Sequence, residues 1–223
     1  MARQLRLRLG RAAPPSLAEF VRGASNTAAV AALEAWPAWS GGCLALVGPQ
    51  GVGKSHLAQA WAQAAGALAL DPAQPDLAAA AGRPVLLEDA DRALSAEGLF
   101  HLINLAAREG GGLLLTARTR PATWPTDLPD LRSRLNALPV AMLGEPDDAV
   151  LRELLERFFR ERNIRPAEDL LPYLVHRIER SAAAAREIVA RLDETADAQH
   201  RAVTKALARR LLEVEAESDE LFE

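Results

Sequence analysis

The sequence predicts an α/β protein: a parallel sheet flanked by helices, followed by a small all-helical unit. Three observations predict it. Residues Gly48 to Ser55, Gly-Pro-Gln-Gly-Val-Gly-Lys-Ser, fit the G-x-x-x-x-G-K-[ST] phosphate-binding loop, with an apolar run before it and a helical pattern after it. Short apolar runs then alternate with helix-period stretches as far as residue 144, the pattern of βαβ units joined by right-handed crossovers. From Glu145 onward the strand signals stop and one helix pattern succeeds another.

Each residue type in the loop has a chemical reason. Gly48, Gly51 and Gly53 let the backbone turn tightly and aim N–H groups inward, where a Cβ would block a phosphate. Lys54 brings a positive charge to the β- and γ-phosphates, and the Ser55 hydroxyl can join the shell of a Mg²⁺ ion. The loop opens a helix, whose N-terminus favours anions.

Residues 1–15 differ in composition from the rest of the chain. They carry Arg3, Arg6, Arg8 and Arg11 and no acid, and Leu5, Leu7 and Leu9 alternate with polar residues at strand period. Three readings compete: a solvated tail, an Arg-rich transit peptide, and an extended peptide that docks in a groove with Gln4 as anchor and the leucines in pockets. Pro14 and Pro15 close the arm. In 16–39, Phe20 and Val21 are either core residues or a wall for a base, and Ser25 or Asn26 caps a helix from Ala28 to Trp36. Cys43 to Val47 reads as the first strand and Ser55 to Ala65 as the helix after the loop.

Further strands are expected at Ala67–Leu70, Val85–Leu87, Leu113–Leu115 and Leu138–Met142, and a helix at Ala93–Arg108 from the recurrence of Leu94, Leu99, Leu102, Ile103 and Leu105. In such sheets ligands sit at the carboxyl ends of the strands. The loop, Glu88–Asp89 and Thr116–Arg118 all fall there. Glu88 and Asp89 either hold Mg²⁺ and orient a water or merely cap a turn. The helical third, 145–215, is expected to hold helices at Asp148–Arg162, from Pro166 to Arg177, from Ala182 to about Ala196 after a Ser181 cap, and at Lys205–Glu215 after a Thr204 cap. Residues 216–223 form an acidic tail.

Composition narrows the function classes. With 49% hydrophobic and 25% charged residues, the chain has ordinary globular composition. No apolar run is long enough for a membrane span. A net charge of −4 argues against a protein that coats DNA through a general positive field. The single cysteine, Cys43, has no internal disulfide partner and fits a reducing cytoplasm. His56, His101, His176 and His200 are not at zinc-ligand spacing.

These parts in this order resemble AAA+ proteins of the DnaA branch, and more closely the DnaA-homologous regulatory inactivators, the Hda or HdaA group. The likeness runs from about Gln4 to about Leu212. It is carried by Phe20 to Asn26, the Gly48–Ser55 Walker A loop, Val85 to Asp89 in the Walker B place, and Leu115 to Pro121 in the sensor 1 place. Asp130-Leu131-Arg132-Ser133-Arg134-Leu135 is similar to the arginine-finger box, and Ser181 to Ile188 to the sensor 2 helix.

The resemblance implies a set of residue roles. Adenine nucleotide, ADP or ATP, would be bound by Phe20, Val21, Asn26, Gly48, Gln50, Gly51, Val52, Gly53, Lys54, Ser55, His56 and Arg186. Mg²⁺ would be held by Ser55, Glu88 and Asp89, partly through water. Arg134 would be a finger acting in trans on ATP held by DnaA, and Gln4, Leu5, Leu7 and Leu9 would bind the DNA sliding clamp. Arg8 stands where a proline is common in that peptide. The chain ends where the helix-turn-helix of DnaA would begin, so no sequence-specific DNA reading of its own is expected. The expected role is a cytoplasmic, replisome-associated negative regulator of replication initiation, with self-association left open. Two other readings stand beside it: an autonomous ATPase of the clamp-loader or helicase-loader kind, and a non-catalytic nucleotide-gated clamp adaptor. A small-molecule kinase fits the loop but not the sensor and finger pattern.

Overall fold

The computed structural model describes residues 16–71, 75–93, 95–108 and 110–220, with 93 and 214–220 described by backbone alone. The arm with Gln4, Leu5, Leu7 and Leu9, and residues 221–223, lie outside the described residues.

Five strands, β1 (Cys43–Val47), β2 (Leu68–Ala69), β3 (Pro84–Leu87), β4 (Gly112–Ala117) and β5 (Val140–Met142), form one sheet in the order β2-β3-β4-β1-β5. Every pairing is parallel, so the carboxyl ends lie on one side, with Val47 level with both Ala117 and Met142. β1 and β4 are buried along their whole length, as expected of parallel strands covered on both faces. The period-two alternation of a strand assigns their side chains to two layers. Cys43, Ala45 and Val47 join one core, and Leu44 and Leu46 the other.

On the Leu44–Leu46 side lie α1 (Thr27–Glu34) and α2 (Lys54–Ala65), packed through Val30, Leu33, Leu57 and Trp61. Trp39 stacks on Trp61 at 5.1 Å between centroids, Trp36 meets Trp61 edge-on at 5.4 Å, and Trp39 Nε1 donates to the Ala32 carbonyl at 2.7 Å. On the other side lie α4 (Ala96–Ala106), through Leu99, Leu102 and Ile103, and α5 (Pro129–Ala137), through Leu131 and Leu135. Each such side chain, taken fully from water, contributes roughly 1.5–3 kcal/mol before chain entropy is set against it.

The C-terminal helices have a core of their own. Leu151, Leu155, Phe158 and Phe159 of α6 (Asp148–Glu161) meet Leu170 and Leu174 of α7 (Leu170–Val175), Ala185, Ile188, Val189 and Leu192 of α8 (Ala182–Gln199), and Leu207 of α9 (Lys205–Glu220). The starts of α6 and α8 are fixed by caps: Asp147 Oδ1 accepts from Val150 N at 2.9 Å and Ser181 Oγ from Ala184 N at 3.0 Å.

α8 and α9 run past their expected ends near Ala196 and at Glu215, α9 into the expected acidic tail, and four further features differ from expectation. The helix expected over Ala93–Arg108 is two pieces, α3 (Ala90–Ala93) and α4, because Ser95 is extended and its hydroxyl caps the second by accepting from Gly98 N. The helix expected from Pro166 begins only at Leu170, which puts Pro172 in the first turn, where a missing N–H breaks no helical bond. Asn26 occupies the cap position of α1 but makes no side-chain cap bond. The helix α5, with Pro129 in its first turn, has no counterpart among the expected elements.

Candidate functional site

The chain leaves β1 at Val47, turns through the loop and starts α2 at Lys54. Two glycines are required by what surrounds them. A Cβ on Gly48 would sit 2.2 Å from the Leu143 carbonyl oxygen, and Gly53 has φ +103°. The loop also touches the C-terminal helices: Ala182 N–H donates to the Gly51 carbonyl at 3.0 Å, at the start of α8.

Lys54 is buried, and its Nζ donates to the carbonyls of Gly48 at 2.9 Å and Pro49 at 2.7 Å. Burial pushes its pKa down and the Arg118 charge adds to that, while Asp89, Asp91 and Glu88 oppose it. The ammonium thus sits inside the loop, bonded to carbonyl dipoles, where an anion would relieve its desolvation.

Beside the loop lies a cavity of about 320 Å³. Phe20, Val21 and Asn26 line it from the upstream segment, Val52, Gly53 and His56 from the loop and α2, Phe158 from α6, and Arg186 from α8. The Phe20 and His56 rings lie 5.7 Å apart. Burial lowers the His56 pKa, and the positive charges of Arg157 and Arg186 lower it further against Glu19 and a backbone hydrogen bond at Ser16. Asn26 is buried in the wall with its amide engaged: Oδ1 accepts from Gly23 N and Nδ2 donates to the Val21 carbonyl, both at 2.9 Å. It shapes the segment that carries Phe20 and Val21, with one N–H and one lone pair of the amide still unused. Gln50 and Ser55 are exposed on the loop and at the start of α2.

At the end of β3, Glu88 Oε1 accepts from Gln59 Nε2 of α2 at 3.1 Å. Asp89 has φ +47° and donates its N–H to Thr116 Oγ1 at 3.0 Å. A third acid, Asp91, joins them, although the sequence singles out only the first two; its position two residues past Asp89 is the signal that could have found it. Its Oδ2 accepts from Arg118 N at 3.1 Å and Thr119 Oγ1 at 3.5 Å, while its buried Oδ1 has no partner. No closed cluster of metal-ligating side chains occurs among the described residues. A Mg²⁺ ion at a phosphate loop needs only one or two protein oxygens besides phosphate and water, and Ser55, Glu88 and Asp89 are of that kind.

Arg134 stands apart from this cavity. It is exposed on α5, its guanidinium 5.1 Å from the Phe100 ring centroid. Its charge acts on Cys43, the first residue of β1, whose thiol burial raises to about 11. Arg186 stands in the cavity wall, 4.2 Å over the Phe158 ring and 3.7 Å from Glu161. A residue with no signal in the sequence ties the walls together. Arg157 of α6 donates through Nη1 to the Glu19 carbonyl at 2.6 Å and through Nε to Glu161 Oε1 at 3.0 Å, with Nη2 3.5 Å from the Glu19 carboxylate.

No family model matches the sequence, and no curated protein matches it. Solved structures do match the fold. Domain III of the Thermotoga maritima replication initiation protein DnaA superposes with a TM-score of 0.74 at 18% identity, covering 89% of this chain and 95% of that one. The Thermotoga maritima RuvB Holliday junction branch migration motor gives 0.70 at 20% identity, over 90% of this chain and 72% of that one. AMPPCP-bound DnaA from Aquifex aeolicus gives 0.65 at 17% identity, over 80% and 64%. The parallel five-stranded sheet with its flanking helices is thus the AAA+ fold seen in DnaA domain III.

Proposed function

We propose that this chain is a nucleotide-dependent negative regulator of replication initiation, which stimulates ATP hydrolysis by DnaA. An adenine nucleotide, ADP or ATP, occupies the cavity, with its phosphates in the Gly48–Ser55 loop and its base toward Phe20, Val21 and His56. Lys54 neutralises phosphate charge, Arg186 reads the phosphates from α8, and Ser55 with Glu88 and Asp89 holds Mg²⁺. That ion, when bound, offsets phosphate charge. Gln4, Leu5, Leu7 and Leu9 dock on the sliding clamp, and Arg134 reaches across an interface to ATP held by DnaA.

The observation that carries this reading is the placement of Arg134. An exposed arginine that packs on Phe100 of α4 and is not among the residues lining the cavity is unsuited to its own nucleotide and free to serve another. A guanidinium so presented stabilises charge on a transferring phosphoryl group and is worth roughly 10³ to 10⁵ in rate. The loop lysine, the acids at the end of β3 and the AMPPCP-bound DnaA neighbour support the nucleotide part.

The test is ATP hydrolysis by ATP-bound DnaA on clamp-loaded DNA, with ADP supplied. The intact chain stimulates it, and both Arg134→Ala and a form lacking residues 1 to 10 lose the stimulation. Absence of stimulation by the intact chain refutes the reading. A second reading, an autonomous ATPase, draws on the carboxylates at the end of β3. It requires sustained turnover by the chain alone, lost in Lys54→Ala and kept in Arg134→Ala.

A further inference from the structure

The Glu19, Arg157, Glu161 and Arg186 side chains form a row of alternating charge; Glu19, Arg157 and Arg186 line the cavity, and Glu161 links the two arginines beside it. Glu19 belongs to the turn Leu17–Glu19 just before Phe20, Arg157 and Glu161 to α6, and Arg186 to α8. Arg157 is at its centre. It grips Glu19 through both the backbone carbonyl and the carboxylate, and from its other side holds Glu161, one turn along the same helix. Glu161 is shared, with Oε1 on Arg157 and Oε2 3.7 Å from Arg186.

The Glu19 contacts fix the turn that leads into Phe20, and so set one wall of the cavity against α6. The contact with Glu161, together with the Phe158 ring at 4.2 Å, fixes where the Arg186 guanidinium rests. A phosphate entering the cavity competes with Glu161 for that guanidinium. When Arg186 turns to phosphate, Glu161 keeps Arg157 as its partner, so the exchange leaves no bare carboxylate behind.

Resting on the nucleotide site proposed above, we propose that Arg157 and Glu161 are positioning residues for the nucleotide. Arg157 fastens the upstream wall, and Glu161 holds Arg186 in competition with phosphate. Glu161 thereby weakens nucleotide binding, whereas Arg157 strengthens it. Opposite effects from two members of one ion pair are not what a purely structural salt bridge gives, since removing either partner would then act in the same direction.

The experiment is calorimetric titration of ADP into the full chain in five forms: wild type, Glu161→Gln, Arg186→Ala, the double variant, and Arg157→Gln. Circular dichroism melts accompany each. Glu161→Gln tightens ADP about two- to fivefold, the size expected of one half-exposed ion pair. The gain disappears when Arg186 is also replaced, and Arg157→Gln weakens ADP about fivefold or more. An unchanged or weakened affinity in Glu161→Gln overturns the competition, as does a gain that persists without Arg186. An Arg157→Gln affinity equal to wild type overturns the fastening. Failure of the wild-type chain to bind ADP overturns both this inference and the nucleotide site beneath it, whereas the other outcomes leave that site standing.

Discussion

Replacing Gly51 by alanine tests whether the phosphate loop and α8 are built as one unit. Gly51 has φ +80°, and a Cβ there would lie 3.0 Å from Ser181 Cβ and 3.2 Å from Ser181 Oγ. Two costs are combined. The left-handed backbone costs an L-residue about 1–2 kcal/mol. The contact with Ser181 requires something to move by a few tenths of an ångström, and Ser181 is buried and engaged as the cap of α8. Gly66 separates the two, because it has φ +60° at the end of α2 and nothing within 4 Å of its Cβ position. Gly66→Ala therefore meets only the backbone cost, loses about 1 kcal/mol of stability and binds ADP as wild type does. Gly51→Ala loses a similar or larger amount and also displaces the start of α8. Arg186 lies five residues along that helix, roughly 7.5 Å from Ser181. The displacement carries it, and ADP affinity falls about tenfold or more, equivalent to about 1.4 kcal/mol. Urea melts and calorimetric titrations of both variants measure the pair of effects. Equal ADP affinity in the two variants would refute the reasoning.

Asn26→Ala leaves Gly23 N and the Val21 carbonyl without their buried partner, so it costs about 2–3 kcal/mol by urea denaturation; a loss under about 0.5 kcal/mol would contradict that account. His56 gives a pH dependence whose sign follows from its burial. Its folded pKa lies below the unfolded value of about 6.5, so the unfolded chain binds the proton more readily. Its contribution to stability is complete above about pH 6.5 and is lost as pH falls from there through the folded pKa. The drop in urea midpoint between about pH 7.5 and pH 5.5 is therefore smaller in His56→Phe than in wild type, and equal drops would argue against the assignment. Arg134→Ala keeps wild-type ADP affinity, measured by the same titration, because the arginine stands outside the cavity.

What the sequence disclosed depended on whether an element's partners were near in the chain. The loop with its strand and helix is a local pattern, and β1 and α2 emerged within a residue of expectation. So did the start of α8, whose Ser181 cap is written beside it, although the helix runs to Gln199, past its expected end near Ala196. The helix α5 was missed because it is mostly polar, with Leu131 and Leu135 as its only buried residues. The break before α4 turned on a single residue, Ser95, inside an otherwise continuous helical pattern. Asn26 could be picked out as important, but the hold of its amide on the Val21–Gly23 turn could not, because both partners are backbone groups that carry no side-chain signal. Arg157 was beyond reach, because its partner Glu19 is 138 residues away and nothing local distinguishes it from its neighbours Arg152 and Arg160.

The placement of the aromatic residues gives the chain a built-in pair of optical reporters. All four tryptophans, Trp36, Trp39, Trp61 and Trp124, belong to the α/β part, three in the ring cluster over one face of the sheet and Trp124 in the core on the other. The sole tyrosine, Tyr173, belongs to the C-terminal helices, with Arg177 4.1 Å from its ring. Tryptophan emission therefore follows melting of the sheet without contribution from the helices, and derivative ultraviolet absorbance, which separates the Tyr173 band from the tryptophan bands, follows the helices. The two curves, recorded on one unlabelled sample, separate if the two cores come apart independently and coincide if they unfold as one.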